Sequence, residues 1–203
     1  MIRPTTAAWF LAAAAIGACT IVPAEEAGVP GSPGMELPPP GHGTLREDEI
    51  SIRFVSDRLQ VQVTPLAEAI LVATTPDTYR RLAGLAADRA PETQAGQTPP
   101  TLFLVSFFSN DAGVEIRPED LQMVSRGLRS RPAEILPLTP GWGGRRLQQR
   151  VTESAIYVFT DAVDLEAELV VVYGLEEDAS WANILPRIRA ERNLARVRAG
   201  VGG

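Results

Sequence analysis

A mainly β fold, an antiparallel sandwich with one inserted helix and a C-terminal helix, is predicted by three observations. Short β-prone apolar runs recur from Ile50 to Tyr173. Gly- and Pro-rich turns separate them. Only two segments carry a helical period, and no βαβ alternation supports a parallel sheet.

The elements follow in order. Ile50-Ser51-Ile52-Arg53-Phe54 alternates as a strand. Asp57-Arg58 turns it into Leu59-Gln60-Val61-Gln62-Val63, whose period of two sets Gln toward water and aliphatics toward a core. Ala67 to Ala73 is apolar and fits either strand or helix. Thr75-Pro76-Asp77 begins a helix, with Thr able to cap and proline suited to the first position. Tyr79, Leu82 and Leu85 or Ala86 line its apolar side, and it ends near Arg89. Residues 91–100 form a loop. Leu102 to Phe108 is apolar enough for a central strand, turned by Asn110-Asp111-Ala112-Gly113. Gln122 to Ser125 is a short strand. Arg131 to Leu138 holds another, and Pro132 and Pro137 confine it to an edge. Ala155 to Phe159 and Leu169 to Tyr173 are further strands, joined by an acidic connection over Asp161 to Glu168. A last helix, capped by Asp178 or Ser180, turns Trp181, Ile184, Leu185 and Ile188 to one face. Pro186 is expected to kink it. Arg187, Arg189, Arg192, Arg196 and Arg198 fall on its remaining faces, where Glu176, Glu177, Asp178 and Glu191 are their expected partners.

The Leu102 strand, the step Pro118-Glu119-Asp120-Leu121, the proline-rich stretch and Tyr157-Val158-Phe159 together resemble immunoglobulin-like extracellular bacterial domains, over residues 101–174. The resemblance implies an immunoglobulin-like sandwich that binds or assembles, and it carries no catalytic residues across.

The N-terminus has a different chemistry. Arg3 precedes the apolar stretch Trp9 to Ile16, which is shorter than the roughly 20 residues a spanning helix needs. Such a segment reads as an export signal. Ile16-Gly17-Ala18-Cys19 follows, and Cys19 is the chain's only cysteine. The tetrapeptide resembles the lipobox of bacterial lipoproteins, with Gly17 a less common second residue. The resemblance implies diacylglycerol on the Cys19 sulfur, cleavage before Cys19 and acylation of the new amino group. It also implies the outer membrane, because Thr20 stands where Asp would favour inner-membrane retention. The alternative is an ordinary secretory peptide with Cys19 incidental, which leaves an unpaired thiol in an exported protein. The expected division is a signal peptide over 1–18, a lipidated Pro/Gly-rich tether over 19–44, a sandwich over 45–199 and a tail over 200–203.

Composition narrows the function. The net charge is −6, and loss of Arg3 with the leader makes the mature chain one unit more negative. Nucleic acid is therefore not an expected partner, since phosphate binding needs a basic face. The only histidine, His42, lies in the tether, so a Ser-His-Asp or Cys-His site would require it to fold back. A His/Cys zinc site is excluded within the sandwich, and neither Glu47-Asp48-Glu49 nor Asp161, Asp164 and Glu166 has a calcium-loop pattern. No glycine-rich nucleotide loop is present. Neither catalytic residues, metal nor cofactor are expected.

Thr139-Pro140-Gly141-Trp142-Gly143-Gly144-Arg145-Arg146 is the most unusual surface-type segment. Trp142 supplies stacking area, and Arg145 and Arg146 supply forked donors for a sugar, an aromatic or an anion. The competing reading is a turn whose Trp caps the sandwich core. The expected protein is thus a lipid-anchored envelope module, facing periplasm or surface, that binds an unidentified envelope protein or component without catalysis. A carboxylate-based hydrolase and a lipid or small-molecule carrier are the rival readings.

Overall fold

The computed structural model describes residues 37–56, 58–91, 98–140, 142, 146–161 and 163–200. Cys19, the leader and most of the tether lie outside the described residues. The compact unit spans Glu36–Gly203. It is a β-sandwich-like fold of antiparallel sheets with a C-terminal helix.

One sheet is built from β1 (Ile52–Val55), β2 (Gln60–Pro65), β3 (Thr101–Phe108), β7 (Glu134–Pro137) and β9 (Thr152–Phe159), in the order β1-β2-β3-β9-β7. β3 is central, as its apolar run requires, and pairs along its full length with β9, from Thr101↔Phe159 to Phe108↔Thr152. β7 takes the edge that its flanking prolines dictate. The second sheet joins β5 (Leu121–Ser125), β6 (Leu128–Ser130), β10 (Leu169–Tyr173) and β11 (Glu176–Asp178), in the order β11-β10-β5-β6. A small pair, β4 (Val114–Glu115) with β8 (Arg146–Leu147), sits apart from both.

Rings and hydroxyls hold the two layers together. Phe107 of β3 lies 5.6 Å from the Tyr173 ring of β10. The Tyr157 hydroxyl of β9 donates to the Pro118 carbonyl, just ahead of β5, at 2.9 Å. Between the layers lie Val61, Val63, Phe103, Val105, Leu121, Met123, Tyr157 and Val171, all buried in one continuous core. At roughly 1.5–3 kcal/mol per large apolar side chain, this burial is the main force holding the sandwich.

The ambiguous Ala67–Ala73 segment makes a single turn, α1 (Glu68–Leu71), and α2 runs Pro76–Arg89 with Pro76 in its first turn. Thr75 occupies the cap position, but its hydroxyl donates to the Thr78 hydroxyl at 2.9 Å instead of capping the backbone. α3 spans Trp181–Arg198 with Pro186 inside it. Trp181 is fully buried, and its indole N–H donates to the Leu165 carbonyl at 3.2 Å. Gln62 departs from its expected exposure. It is half-buried, and its amide donates to Ser51 Oγ at 3.3 Å because Ser51 and Thr64 are buried beside it.

The end of the tether belongs to the fold. Leu45 donates its N–H to the Ala73 carbonyl at 3.1 Å, and Thr75 donates to the Leu45 carbonyl at 2.9 Å. Gly43 lies against the same backbone. A Cβ there would overlap the Ala73 carbonyl group and stand 2.6 Å from the Thr74 nitrogen. Because the obstacle is backbone, it has little room to yield. Gly43→Ala is expected to cost about 2 kcal/mol, the range for overpacking. A fall in the denaturation midpoint with an unchanged m-value checks this.

Candidate functional site

The candidate site is built where the five-stranded sheet meets the second layer at one end. On β9, Glu153, Ala155, Tyr157 and Phe159 share the inward face by alternation, and all are buried. On β3, Phe107 stands directly opposite Glu153. Antiparallel partners share a face, so the Phe107 ring and the Glu153 side chain lie side by side.

Trp142 joins this group from the preceding loop. Its N–H donates to the Thr139 carbonyl at 3.2 Å, closing a turn. The half-buried indole packs 5.9 Å from the Phe107 ring and 6.5 Å, edge to face, from the Tyr157 ring. Phe107 thereby links Trp142 to Tyr173. These offset and edge-on geometries are the favourable ones for aromatic pairs. Trp142 therefore packs on the core, as the turn-and-cap reading expects. Arg146 is exposed on β8, opposite Glu115. Arg145 lies outside the described residues.

A shallow open depression of about 320 Å³ adjoins this end, lined by Glu115, Arg117, Asp120, Tyr173 and Gly174. Arg117 Nε donates to Glu115 Oε1 at 3.2 Å. The Arg117 backbone N–H donates to the Tyr173 hydroxyl at 3.1 Å. Burial, with the neighbouring carboxylates adding, raises the Tyr173 phenol, and burial likewise raises that of Tyr157. Both remain protonated hydrogen-bonding groups at neutral pH. The depression offers cationic, anionic and aromatic contacts together. That mixture suits recognition of a polar partner better than enclosure of a lipid.

Glu153 is the residue that sequence reasoning missed. It is 8 % exposed, and its Oε2 has no hydrogen-bond partner among the described residues. Burial raises its carboxyl above the ordinary value. The available signal was strand parity: reading the alternation of Ala155 and Tyr157 back by one step puts Glu153 inward. The sign of its effect follows from linkage. The folded state holds this proton more tightly, so stability falls as pH rises above the unfolded value near 4.5. Glu153→Gln keeps the shape and removes the charge. It is expected to raise stability at neutral pH by about 1 kcal/mol. The gain shrinks toward zero below pH 4.5, as urea titrations across pH check.

The arginines of α3 sit differently from their expected places. Arg192 is buried at 2 % exposure, not solvated. Its partners are Glu166 Oε1 at 2.6 Å, Glu166 Oε2 at 3.0 Å and the Ala69 carbonyl at 3.3 Å. Four residues after Ile188 and seven after Leu185, it falls on the inward side of the helix. Arg189 also bonds Glu166, at 3.1 Å, and Arg187 reaches Glu49 at 2.6 Å. Arg198 uses an expected partner, Glu191, at 2.6 Å. Glu177 is taken instead by Arg129 across the second sheet. Glu166 is held below the ordinary carboxylate value, first by the Arg192 hydrogen bond and then by Arg189, against its burial.

The acidic clusters are used in the same way. Glu47 pairs with Arg81, Asp48 with Arg46 and Asp164 with Arg126. Among the described residues, no group of His, Cys, Asp and Glu is placed to hold a metal ion. His42 is half-buried at the tether end, where its carbonyl accepts from Arg198 at 2.8 Å. No protein-family model matches this chain, and no curated protein or solved structure matches it significantly.

Proposed function

We propose that this chain is an exported lipoprotein of the bacterial cell envelope, cut before Cys19, acylated there and held in the outer membrane. Its sandwich works as a non-catalytic module that binds or helps assemble an envelope component, facing the periplasm or the cell surface. The observation that carries this reading is Ile16-Gly17-Ala18-Cys19, set behind an apolar stretch too short to span and containing the only cysteine. Two features of the fold are compatible with it. Among the described residues, no helix is long and apolar enough to cross a membrane. The tether also enters the domain through firm contacts, with Thr44 Oγ1 donating to Glu191 Oε1 at 2.8 Å and Leu45 bonded beside α1.

The proposed contact surface is the sandwich end around the Tyr173 depression, with Arg117 and Arg146 exposed beside it. Trp142 supports this surface from beneath through Phe107. In-cell cross-linking of the native protein is expected to capture a reproducible envelope component. Arg117→Ala with Arg146→Ala should abolish the capture while leaving the melting temperature within a degree or two, as for ordinary surface changes. Capture that survives both substitutions would move the contact elsewhere. No specific capture at all would contradict the binding reading and favour a carrier or hydrolase.

A further inference from the structure

Helix α3 is apolar on two opposite sides. Trp181, Leu185, Ile188 and Ala195 face inward and are buried. On the far side, Arg187, Ala190, Leu194, Val197 and Arg198 follow one another at helical spacing, and all are exposed. Leu194 is 52 % exposed and Val197 77 %. The other exposed large apolar residues, Val55, Leu128 and Leu175, lie on β1, β6 and a hairpin turn, each on a different element. Among the described residues, only on α3 do two of them share a face, with an arginine at either end of the stripe.

The place of this stripe gives it meaning. The tether is fastened to the same end of the helix, by Arg198 Nη1 donating to the His42 carbonyl at 2.8 Å and by Thr44 on Glu191. The chain from Cys19 to His42 reaches at most roughly 80 Å when extended. A domain held by acyl chains on Cys19 therefore has its point of attachment at this end of α3, within that reach of the bilayer. The helix carries Arg187, Arg189, Arg192, Arg196 and Arg198 against one acid, Glu191. Of the two at the outer stripe, Arg187 sits in an exposed ion pair with Glu49, which is weak and exchanges readily with lipid phosphate, whereas Arg198 is held by the buried Glu191.

We propose that the outer stripe of α3 rests on the membrane that holds the anchor. Leu194 and Val197 enter the headgroup layer, and Arg187 reaches the phosphates above them. This arrangement matches an interfacial helix, whose apolar centre is flanked by basic side chains that snorkel to the polar layer. The proposal rests on the acylation of Cys19 and fixes which face of the sandwich is left free for a partner.

Acylation leaves the chain without a free thiol, so one engineered cysteine gives one labelling site. Val197→Cys and, as control, Leu128→Cys are labelled with a bimane dye in the full acylated protein. Each is placed in vesicles of phosphatidylcholine and phosphatidylglycerol carrying a headgroup nitroxide. Quenching several-fold stronger at position 197 than at 128 is expected. Equal quenching at the two positions, with a single dye per chain by mass, overturns this proposal alone. A second dye on Cys19 shows the thiol unacylated and overturns the anchoring reading and this proposal together. A lipid-independent, concentration-dependent blue shift at 197 would assign the stripe to a second copy of the chain and also overturns it.

Discussion

Cys19→Ser is expected to abolish lipid incorporation completely and to leave residues 1–18 attached. On the proposed reading, the peptidase acts only after the Cys19 sulfur has received diacylglycerol. Serine offers no thiol, so both steps stop together. Cells fed labelled palmitate should show the label in the wild type and none in the variant, which migrates as the longer precursor. An ordinary secretory leader predicts the opposite, with both forms processed alike and neither labelled. The folded unit begins at Glu36, so the variant should keep the wild-type melting temperature once purified. The contrast is large because the wild type would carry diacylglycerol and an N-acyl chain, enough to hold a protein firmly, and the variant would carry none.

Glu166→Ala is expected to destabilise the fold by about 2 kcal/mol, below the range for breaking a fully buried pair because only Arg192 is buried. The carboxylate itself is partly exposed, with 42 % of its side chain accessible, whereas the Arg192 side chain is 2 % exposed. Removing Glu166 leaves that guanidinium with the Ala69 carbonyl as its remaining hydrogen-bond acceptor among the described residues. At about 2–4 °C per kcal/mol for a domain of this size, the melting temperature should fall by roughly 4–8 °C. The effect depends on pH in the sense opposite to that of Glu153. The folded state lowers the Glu166 value, so its stabilisation is present above the unfolded value near 4.5 and is lost as pH falls through the folded one. The gap between wild type and variant should therefore be full at neutral pH and close in acid. A gap of less than about 1 kcal/mol at neutral pH would reduce Arg192–Glu166 to an ordinary surface pair.

The strongly patterned elements were legible in the chain. β2, β3, β9 and β10 announce themselves by alternation or unbroken apolar runs, β7 by its prolines, and α2 by Thr75-Pro76. β6 and β11 escaped because three residues carry no measurable period. Their hairpins rest on local turn chemistry instead. Arg126 and Gly127 both have positive φ, at 51° and 75°, as a tight two-residue turn requires. Gly174, at φ 61°, opens the turn into β11. The candidate site was only half legible. The Trp142 segment stands out locally, but Phe107, Tyr157 and Tyr173 come together only through sheet pairing, which no local spacing reports. Arg192 was misread because its charge outweighed its helical position, although that position sets it with Leu185 and Ile188 on the buried side.

The most direct test of the anchored-module account is the intact mass of the N-terminal peptide from protein extracted from membranes. The account predicts a peptide that begins at Cys19, with diacylglycerol on sulfur and an acyl group on the amino nitrogen. A peptide that begins elsewhere, or one that carries Cys19 as a free thiol, would contradict it.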